Sequence, residues 1–237
     1  MKPRIQLAQV SHRYHERRVI RDITLDIFPG ERILLAGSNG SGKSTLLKIA
    51  AGLITPWKGT CRFGRAPKAQ RPFSGFGYLG HELLLYRGLT VHQNLGLFSK
   101  LKRSPLDLEQ VLQQWDLSDK KHRILNELSR GERARVALAR SFLGSPRVLL
   151  LDEPTAHLDT DGVALLRSHL AQISEDTVVV LSTHEHDLFR SFSNRVIILH
   201  KGELQFRERE DQLATKRMFD VCATRRNLQT GGQEINQ

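Results

Sequence analysis

The sequence predicts an α/β fold built on a mostly parallel β-sheet. Short apolar runs typical of buried strands alternate along the chain with segments that repeat apolar residues at helical spacing. A glycine-rich segment, residues 37–45, joins one such run to one such helix and matches the pattern G-x-x-x-x-G-K-[ST]. Strands that alternate with helices are connected by crossovers, so they are expected to lie parallel in one sheet.

The first part of the chain predicts several strands. Apolar Ile5, Leu7 and Val10 indicate an opening strand, and a turn is expected at residues 11–13. A second apolar stretch at residues 23–28 and a Pro-Gly turn lead into the apolar run at residues 32–36. Residues 59–63 and 75–79 predict two further strands, joined by a basic segment over residues 64–72.

The glycine-rich segment predicts a nucleotide-binding site. It reads Gly37-Ser38-Asn39-Gly40-Ser41-Gly42-Lys43-Ser44-Thr45. Its glycines let the backbone wrap closely around a phosphate chain, and the positive end of the following helix points at the same place. In this motif the lysine reaches the β- and γ-phosphates, and the hydroxyl of Ser44 binds Mg²⁺. The structural alternative is a plain turn ahead of a helix. Because this motif occurs once, we expect one nucleotide site per chain.

Residues 81–146 predict a mostly helical insertion between strands of the main sheet. One segment repeats apolar side chains on a single helical face, namely Leu108, Val111, Leu112 and Trp115. Ser129 and Glu132 form a capping-box pattern, so a helix should begin there and run to about residue 143.

Polar side chains follow two later apolar runs. Residues 147–151 form a buried-strand pattern that ends at Asp152 and Glu153, and residues 177–182 form another that ends near His184. Adjacent strand residues point to opposite sides, so the two carboxylates should act differently. We expect Asp152 to bind Mg²⁺ and Glu153 to act as the base for water. Since ligands of parallel sheets bind beyond the carboxyl ends of the strands, these groups and the glycine-rich loop should meet at one edge.

The remaining pattern is a helix with apolar residues at 163, 166, 170 and 173, a strand at residues 195–199, and a turn into an apolar stretch at 203–206. From residue 207 onward charge is mixed and periodicity is weak, which predicts a loosely folded tail.

Composition limits the class of protein. Apolar residues make up 39% of the 237 residues, which is enough for a packed core, and the longest apolar runs are too short to span a membrane. Cys61 and Cys222 form neither a disulfide framework nor a metal-ligand spacing, so a soluble protein of a reducing compartment is expected. The formal net charge of +11 leaves nucleic acid, anionic lipid and an acidic protein open as partners.

Taken together, these motifs resemble the ATPase subunit of ABC transporters over residues 4–206. Residues 37–45 match its phosphate loop, residues 148–153 its metal-binding strand with the catalytic glutamate, and His184 its switch histidine. The segment LSRGE at residues 128–132 resembles the signature LSGGQ, and residues 156–159 resemble the loop that crosses to the partner subunit. Tyr14 falls where the family stacks an aromatic ring on adenine.

The resemblance implies a P-loop NTPase fold with an N-terminal antiparallel β subdomain. It implies one ABC ATPase domain over residues 1–206, a helical subdomain at about residues 82–146, and a weakly structured tail at residues 207–237. Two such subunits, as a homodimer or a pair of related ATPases, would sandwich two ATP molecules with Mg²⁺. Ser129 and Gly131 of one would contact the γ-phosphate held by the other, while Glu153 activates water and His184 stabilises charge.

The same resemblance implies that an integral membrane subunit carries the substrate. The ATPase would then lie in the cytoplasm, peripheral on the inner face of the cell membrane, and nucleic acid is not expected as a partner.

One position departs from the family pattern. The loop that usually carries a glutamine reads Gly-Tyr-Leu-Gly-His-Glu at residues 77–82, and counting back from residues 89–90 places His81 at the glutamine position. In the family that glutamine links the γ-phosphate, Mg²⁺ and water to movement of the membrane subunit. An imidazole can still hydrogen-bond water or an oxygen, so His81 is a predicted catalytic and metal-contacting residue. Packing in a hinge is the alternative.

The Gly-His pair also resembles a narrower group, the haem-exporter ATPase subunit of cytochrome c maturation. That subunit has a similar Leu-Thr…Asn-Leu run, as at residues 89–95 here, and an Asp-x-Asp-Gly-Val-Ala stretch, as at residues 159–164. This resemblance implies haem export. The alternatives are the ATPase of another exporter, for polysaccharide, drug or lipid, and a soluble ABC protein acting on ribosomes or nucleic acid.

Overall fold

The computed structural model describes residues 1–64, 75–103 and 106–209. Its strands are β1 (Ile5–Tyr14), β2 (Arg17–Ile27), β3 (Arg32–Ala36), β4 (Lys58–Phe63), β5 (Phe76–Leu79), β6 (Val148–Asp152), β7 (Val178–Ser182), β8 (Arg195–His200) and β9 (Glu203–Arg209). Its α-helices are α1 (Lys43–Ala50), α2 (Val91–Leu101), α3 (Leu108–Gln114), α4 (Arg130–Phe142), α5 (Thr160–Ala171) and α6 (His186–Phe189). The predicted basic segment after residue 64, Cys222 and residues 210–237 lie outside the described residues.

The strands form two sheets. The larger has the order β5-β6-β7-β3-β8-β9, in which only β9 runs antiparallel to its neighbour. The smaller has the order β2-β1-β4 and is antiparallel. The predicted α/β class, with a mostly parallel sheet and an N-terminal antiparallel sheet, is confirmed.

The central strands β6 and β7 are buried on both faces. Their successive side chains point to opposite sides, so each strand contributes to two apolar clusters. In β6, Leu149 and Leu151 join an apolar cluster with residues of α2, α3, α4 and α5. Val148 and Leu150 join the other cluster, with α1 and the antiparallel sheet. The two clusters hold β6 and β7 rigidly in the middle of the molecule, so the residues at their ends have defined positions.

The N-terminal hairpin differs from the prediction. The turn expected at residues 11–13 is wrong, since β1 continues to Tyr14 and β2 already begins at Arg17. Two register shifts between Val10 and Arg13 interrupt the alternation of apolar and polar residues. A strand with such bulges is hard to predict from the sequence, because its apolar and polar residues no longer alternate. As a consequence, Tyr14 lies opposite Arg17 at the end of a long hairpin.

The helical insertion between β5 and β6 contains α2, α3 and α4. The predicted capping box is confirmed: the Glu132 backbone N–H donates to Ser129 Oγ at 3.1 Å, and the Ser129 N–H donates to Glu132 Oε2 at 2.7 Å. The latter bond lowers the pKa of the Glu132 carboxyl. Trp115, directly after α3, is buried and stacks on His169 of α5 with ring centroids 4.0 Å apart. None of the helices in the described ranges is long and apolar enough to cross a membrane.

The predicted start of the loosely folded tail, residue 207, lies within a strand of the structure. Residues 203–209 form β9, which pairs antiparallel with β8, so residues 207–209 belong to the sheet. Edge strands often carry charged residues, so the apolar periodicity that predicts a strand is weak there.

A buried lysine joins two helices of the insertion and makes stability depend on pH. Lys102 is 5% exposed, and its Nζ donates to the Leu143 carbonyl at 2.9 Å. Burial, assisted by the nearby Arg140 charge, lowers the pKa of Lys102 from 10.5 to about 8. Between these two pH values the unfolded chain binds more protons than the folded one. Stability should therefore rise with pH across this window, by at most about 3 kcal/mol.

We expect Lys102→Met to lose most of this rise, whereas Lys100→Met, at an exposed position of the same helix, should keep it. Urea unfolding at intervals from pH 7.5 to 10 measures the free energy of unfolding of each protein. Parallel curves for wild type and Lys102→Met would show that Lys102 is not the titrating group.

Candidate functional site

A cavity of about 450 Å³ lies where the phosphate loop meets the carboxyl ends of β6 and β7. Most of its lining residues were predicted from the sequence, namely Tyr14, Asn39, Gly40, Ser41, Gly42, Lys43, Ser44, Thr45, Asp152, Glu153 and His184. The structure thus brings together groups that are up to 170 residues apart in the chain. Gly37 and Ser38 lie at the base of the loop, outside the lining.

The phosphate loop is held closely between β2 and β8. Gly42 has φ +108°, and a Cβ there would lie 2.8 Å from the carbonyl oxygen of Val19. A Cβ on Gly37 would collide with the Leu199 carbonyl oxygen. Only glycine suits such a conformation at this distance. The loop therefore has a defined shape that a side chain at either position would break.

Lys43 is positioned by the loop itself. Its Nζ donates to the Gly37 carbonyl at 2.8 Å and to the Ser38 carbonyl at 3.3 Å, and the residue is 7% exposed. A buried ammonium group at the mouth of a loop of backbone N–H groups, at the start of α1, is an environment that attracts phosphate.

The strand ends supply two carboxylates with different surroundings. Asp152 is 5% exposed, and its Oδ1 accepts a hydrogen bond from Ser182 Oγ at 2.5 Å. Glu153 has φ +49°, a left-handed conformation for a residue with a side chain. Its backbone N–H donates to the Ser182 carbonyl at 3.0 Å. Because β6 ends at Asp152, Glu153 lies just outside the strand, and the different roles of the two acids stay a prediction.

Glu153 and His184 form a pair at the cavity wall. Glu153 Oε1 lies 3.2 Å from His184 Nε2, and the His184 backbone N–H donates to Glu153 Oε2 at 3.2 Å. Both side chains are about one-third exposed. The hydrogen bond from the His184 backbone N–H orients the carboxylate, whose side chain remains partly exposed at the cavity wall.

Ser129 and Gly131 lie at the start of α4, outside the cavity lining. A Cβ on Gly131 would approach the His157 carbonyl oxygen to 3.0 Å, so α4 packs closely on residues 156–159. Arg135 strengthens this contact, because its Nη2 lies 3.4 Å from both Asp159 carboxylate oxygens and its Nη1 2.6 Å from Asp116. The two segments predicted to meet a partner subunit are thus held together as one unit.

His81 is exposed just beyond β5 and is not one of the cavity-lining residues. Its catalytic and metal-contacting role stays a prediction.

The sequence did not single out three residues of the site. Arg17 and Val19 line the cavity because the hairpin is longer than predicted, which places the start of β2 beside the phosphate loop. Ser182 bonds Asp152 from the neighbouring strand. The place of Arg17 in the cavity follows from the pairing of β1 with β2. No local sequence motif contains Arg17, so it could not be predicted as a site residue.

Comparison with known proteins agrees with this geometry. The model of the family described as "ABC transporter" matches residues 20–156, more than half of the chain. The chain belongs to the ABC transporter family. The sulfate/thiosulfate import ATP-binding protein CysA of Mesorhizobium japonicum is 33% identical to this ABC protein over 214 residues, which cover 85% of this chain. The uncharacterized ABC transporter ATP-binding protein MJ1023 of Methanocaldococcus jannaschii is 31% identical over 209 residues, which cover 86% of this chain.

The lengths differ between this ABC protein and its relatives. The chain spans 62% of the CysA protein and 76% of MJ1023. The dimeric structure of the ABC transporter cassette MJ0796 superposes with a TM-score of 0.78 and 27% identity, covering 86% of this chain and 98% of that one. The same cassette is also known as a dimer in a post-hydrolysis state with ADP and Pi. The predicted P-loop NTPase fold and the resemblance to the ABC transporter family are confirmed.

The residues present fit ATP and Mg²⁺. A close-packed glycine loop with a buried lysine suits a polyphosphate, and the cavity has the size of a small-molecule site. Ser44 and Asp152 both line the cavity and offer a hydroxyl and a carboxylate oxygen, the ligand type that Mg²⁺ prefers.

Proposed function

We propose that this protein is the ATP-hydrolysing subunit of an ABC transporter and that it powers a separate membrane subunit. The observation that carries this proposal is the Glu153–His184 pair, with an oxygen–nitrogen distance of 3.2 Å, on the wall of the cavity that also holds the phosphate loop and Asp152. A base, its orienting partner and a phosphate site in one cavity are the parts that phosphoryl transfer to water needs.

In this proposal the chain's own residues divide the work of hydrolysis. The loop N–H groups and Lys43 hold the β- and γ-phosphates, and Tyr14 stacks on adenine at the mouth of the cavity. Glu153 accepts the proton of the attacking water, and His184 donates a hydrogen bond toward charge that develops on the γ-phosphate. Ser44 and Asp152 would hold Mg²⁺, which neutralises charge on the phosphates. His81 would contact water or metal at the glutamine position.

The proposal includes a pair of ATPase subunits. Ser129 and Gly131 lie outside the cavity of their own chain, at a capped helix start whose N–H groups favour an anion. The dimeric cassette MJ0796 supports such a pairing. In it, Ser129 and Gly131 of one subunit would contact the γ-phosphate bound by the other.

The proposed contact with the membrane subunit is an apolar surface beside β5. Leu84, Tyr86 and Ile124 are exposed by 44%, 54% and 38%. The segments that carry them pair, since Thr90 bridges to Ile124 and the Asn126 N–H donates to the Arg87 carbonyl. Large apolar side chains grouped on a surface mark an interaction site.

We expect Tyr86→Glu to release the protein from membranes of its native host, because a carboxylate cannot be buried in an apolar contact without loss of affinity. The measurement is the share of tagged protein that sediments with salt-washed membranes. Leu101→Glu, at a position 50% exposed on α2, is the control and should sediment like wild type. ATP hydrolysis by the isolated Tyr86→Glu protein should stay within about twofold of wild type, since surface substitutions rarely disturb a remote site. Undiminished sedimentation of Tyr86→Glu would contradict this docking surface.

The proposal extends to the transported substrate, for which haem is the first candidate. Haem export rests on the short matches at His81, at residues 89–95 and at residues 159–164. CysA is a relative whose name states a substrate, and import of sulfate or thiosulfate by such a relative gives haem export no support. Export of another substrate stays an alternative, because the substrate would contact the membrane subunit. The proposed location is the inner face of the cell membrane.

A soluble ABC protein acting on ribosomes or nucleic acid is the second candidate, and the net charge of +11 favours it. Association with ribosomes in place of membranes, in the same fractionation, would select it.

A further inference from the structure

A cluster of cations surrounds an exposed tryptophan at one end of the antiparallel sheet. Trp57, directly before β4, is 40% exposed. The Arg13 Cζ lies 4.4 Å from the centroid of its ring, the Lys58 Nζ 4.8 Å, and the Arg18 Cζ 5.7 Å. The four residues come from three neighbouring strands or their ends, so the tertiary structure brings them together. We call these four residues the Trp57 cluster.

The Trp57 cluster contains an unfavourable pair of like charges. Arg13 and Arg18 lie directly opposite each other in the register of β1 and β2. Like charges at opposite cross-strand positions destabilise a sheet. Within the described ranges, no ion pair joins Arg13, Arg18 or Lys58 to a carboxylate. Cation–π contacts with Trp57 offset part of the repulsion. Among the described residues, only the cation–π contacts compensate this repulsion, and a local conflict of this kind is typical of a functional site.

The cluster is separate from the nucleotide cavity. Tyr14 and Arg17 line that cavity, whereas Arg13 and Arg18 do not. Neighbouring residues of a strand point to opposite faces, so the cluster occupies the reverse face of the same hairpin end. An anion at the cluster would not compete with ATP for the phosphate loop.

We propose that the Trp57 cluster is a binding site for a phosphorylated anion. Two guanidinium groups and one ammonium group match the several oxygens of a multivalent phosphate, and arginine forms paired hydrogen bonds with such oxygens. The anion would bridge Arg13 and Arg18 and remove their repulsion. The tryptophan ring holds the guanidinium groups in place and forms an apolar side wall. The phosphate can belong to a soluble anion or to the head group of an acidic phospholipid, since both present the same chemistry.

Tryptophan fluorescence can test the site directly. The chain has two tryptophans, and the other one, Trp115, is 2% exposed. With the nucleotide cavity saturated by ADP, we expect inorganic pyrophosphate to change the emission of Trp57 in a saturable way. Trp57→Phe should show no change, which identifies the reporting residue.

Charge-removing variants then separate a built site from general attraction. Arg13→Gln combined with Arg18→Gln should weaken pyrophosphate binding by at least about tenfold, the loss expected when a charge-assisted hydrogen bond is removed. Arg21→Gln removes an exposed charge from the same strand and should bind like wild type. Because the readout requires no hydrolysis, failure of the proposed ATPase function would leave this test intact.

A second arm identifies the source of the phosphate. Vesicles containing phosphatidylglycerol are compared with vesicles of phosphatidylcholine alone, again through Trp57 emission. If anionic vesicles change the emission, pyrophosphate does not, and the arginine variant loses the response, the site binds a lipid head group. If pyrophosphate changes the emission, anionic vesicles do not, and the arginine variant loses the response, the site binds a soluble anion. Emission unchanged by both probes, or equally changed in the arginine variant, would overturn the proposal. A response only to a single-stranded oligonucleotide would overturn it in favour of nucleic acid.

Discussion

Glu153→Gln should bind ATP like the unchanged protein and hydrolyse it at least about a hundredfold more slowly, the lower range of what a general base contributes. The amide keeps the size of the carboxylate, and its oxygen can still accept from the His184 backbone N–H. It cannot accept the proton of the attacking water. With hydrolysis blocked, the pair of subunits should remain closed on ATP.

Three measurements check this expectation: the affinity for ATP, the steady-state rate of phosphate release, and the fraction of dimer in the presence of ATP and Mg²⁺. Glu175→Gln changes an exposed acid outside the cavity and serves as the matched control. Hydrolysis at the wild-type rate in Glu153→Gln would remove Glu153 from the catalytic role and would leave the phosphate loop unaffected as a binding site.

Lys43→Met should lose ATP binding by up to about a hundredfold, because a charge-assisted hydrogen bond to phosphate contributes up to about 3 kcal/mol. The substitution also removes the donor for the Gly37 and Ser38 carbonyls, which shape the base of the loop. Binding and hydrolysis should therefore fall together, in contrast to Glu153→Gln, in which only hydrolysis falls.

Calorimetric titration with ATP measures the loss for Lys43→Met, and thermal unfolding shows whether the fold is retained. Lys48→Met, in the last turn of the same helix, is the control and should bind normally. If Lys43→Met retained wild-type affinity, the cavity would have to hold its ligand by groups other than the phosphate loop.

Local patterns predicted the parts of this molecule that depend on neighbouring residues. The phosphate loop, the capping box of Ser129 and Glu132, and the strand that ends at Asp152 could be read directly, because backbone conformation and capping involve residues only a few positions apart. The N-terminal hairpin and β9 were misjudged where bulges or charged edge residues broke the expected alternation. Those deviations arise from pairing with another strand, which a local pattern does not contain.

The sequence by itself therefore determined the type of fold, the class of ligand and most residues of the cavity. Tertiary structure alone decided which side chains touch: Glu153 with His184, Arg135 with Asp159, Arg17 beside the phosphate loop, and Trp57 among three cations. The physical reason is that these contacts depend on strand order and register, and both are set by the burial of two apolar clusters across the whole chain. A sequence motif shows which functional groups the chain contains, and the packing of the sheet determines which of these groups come into contact.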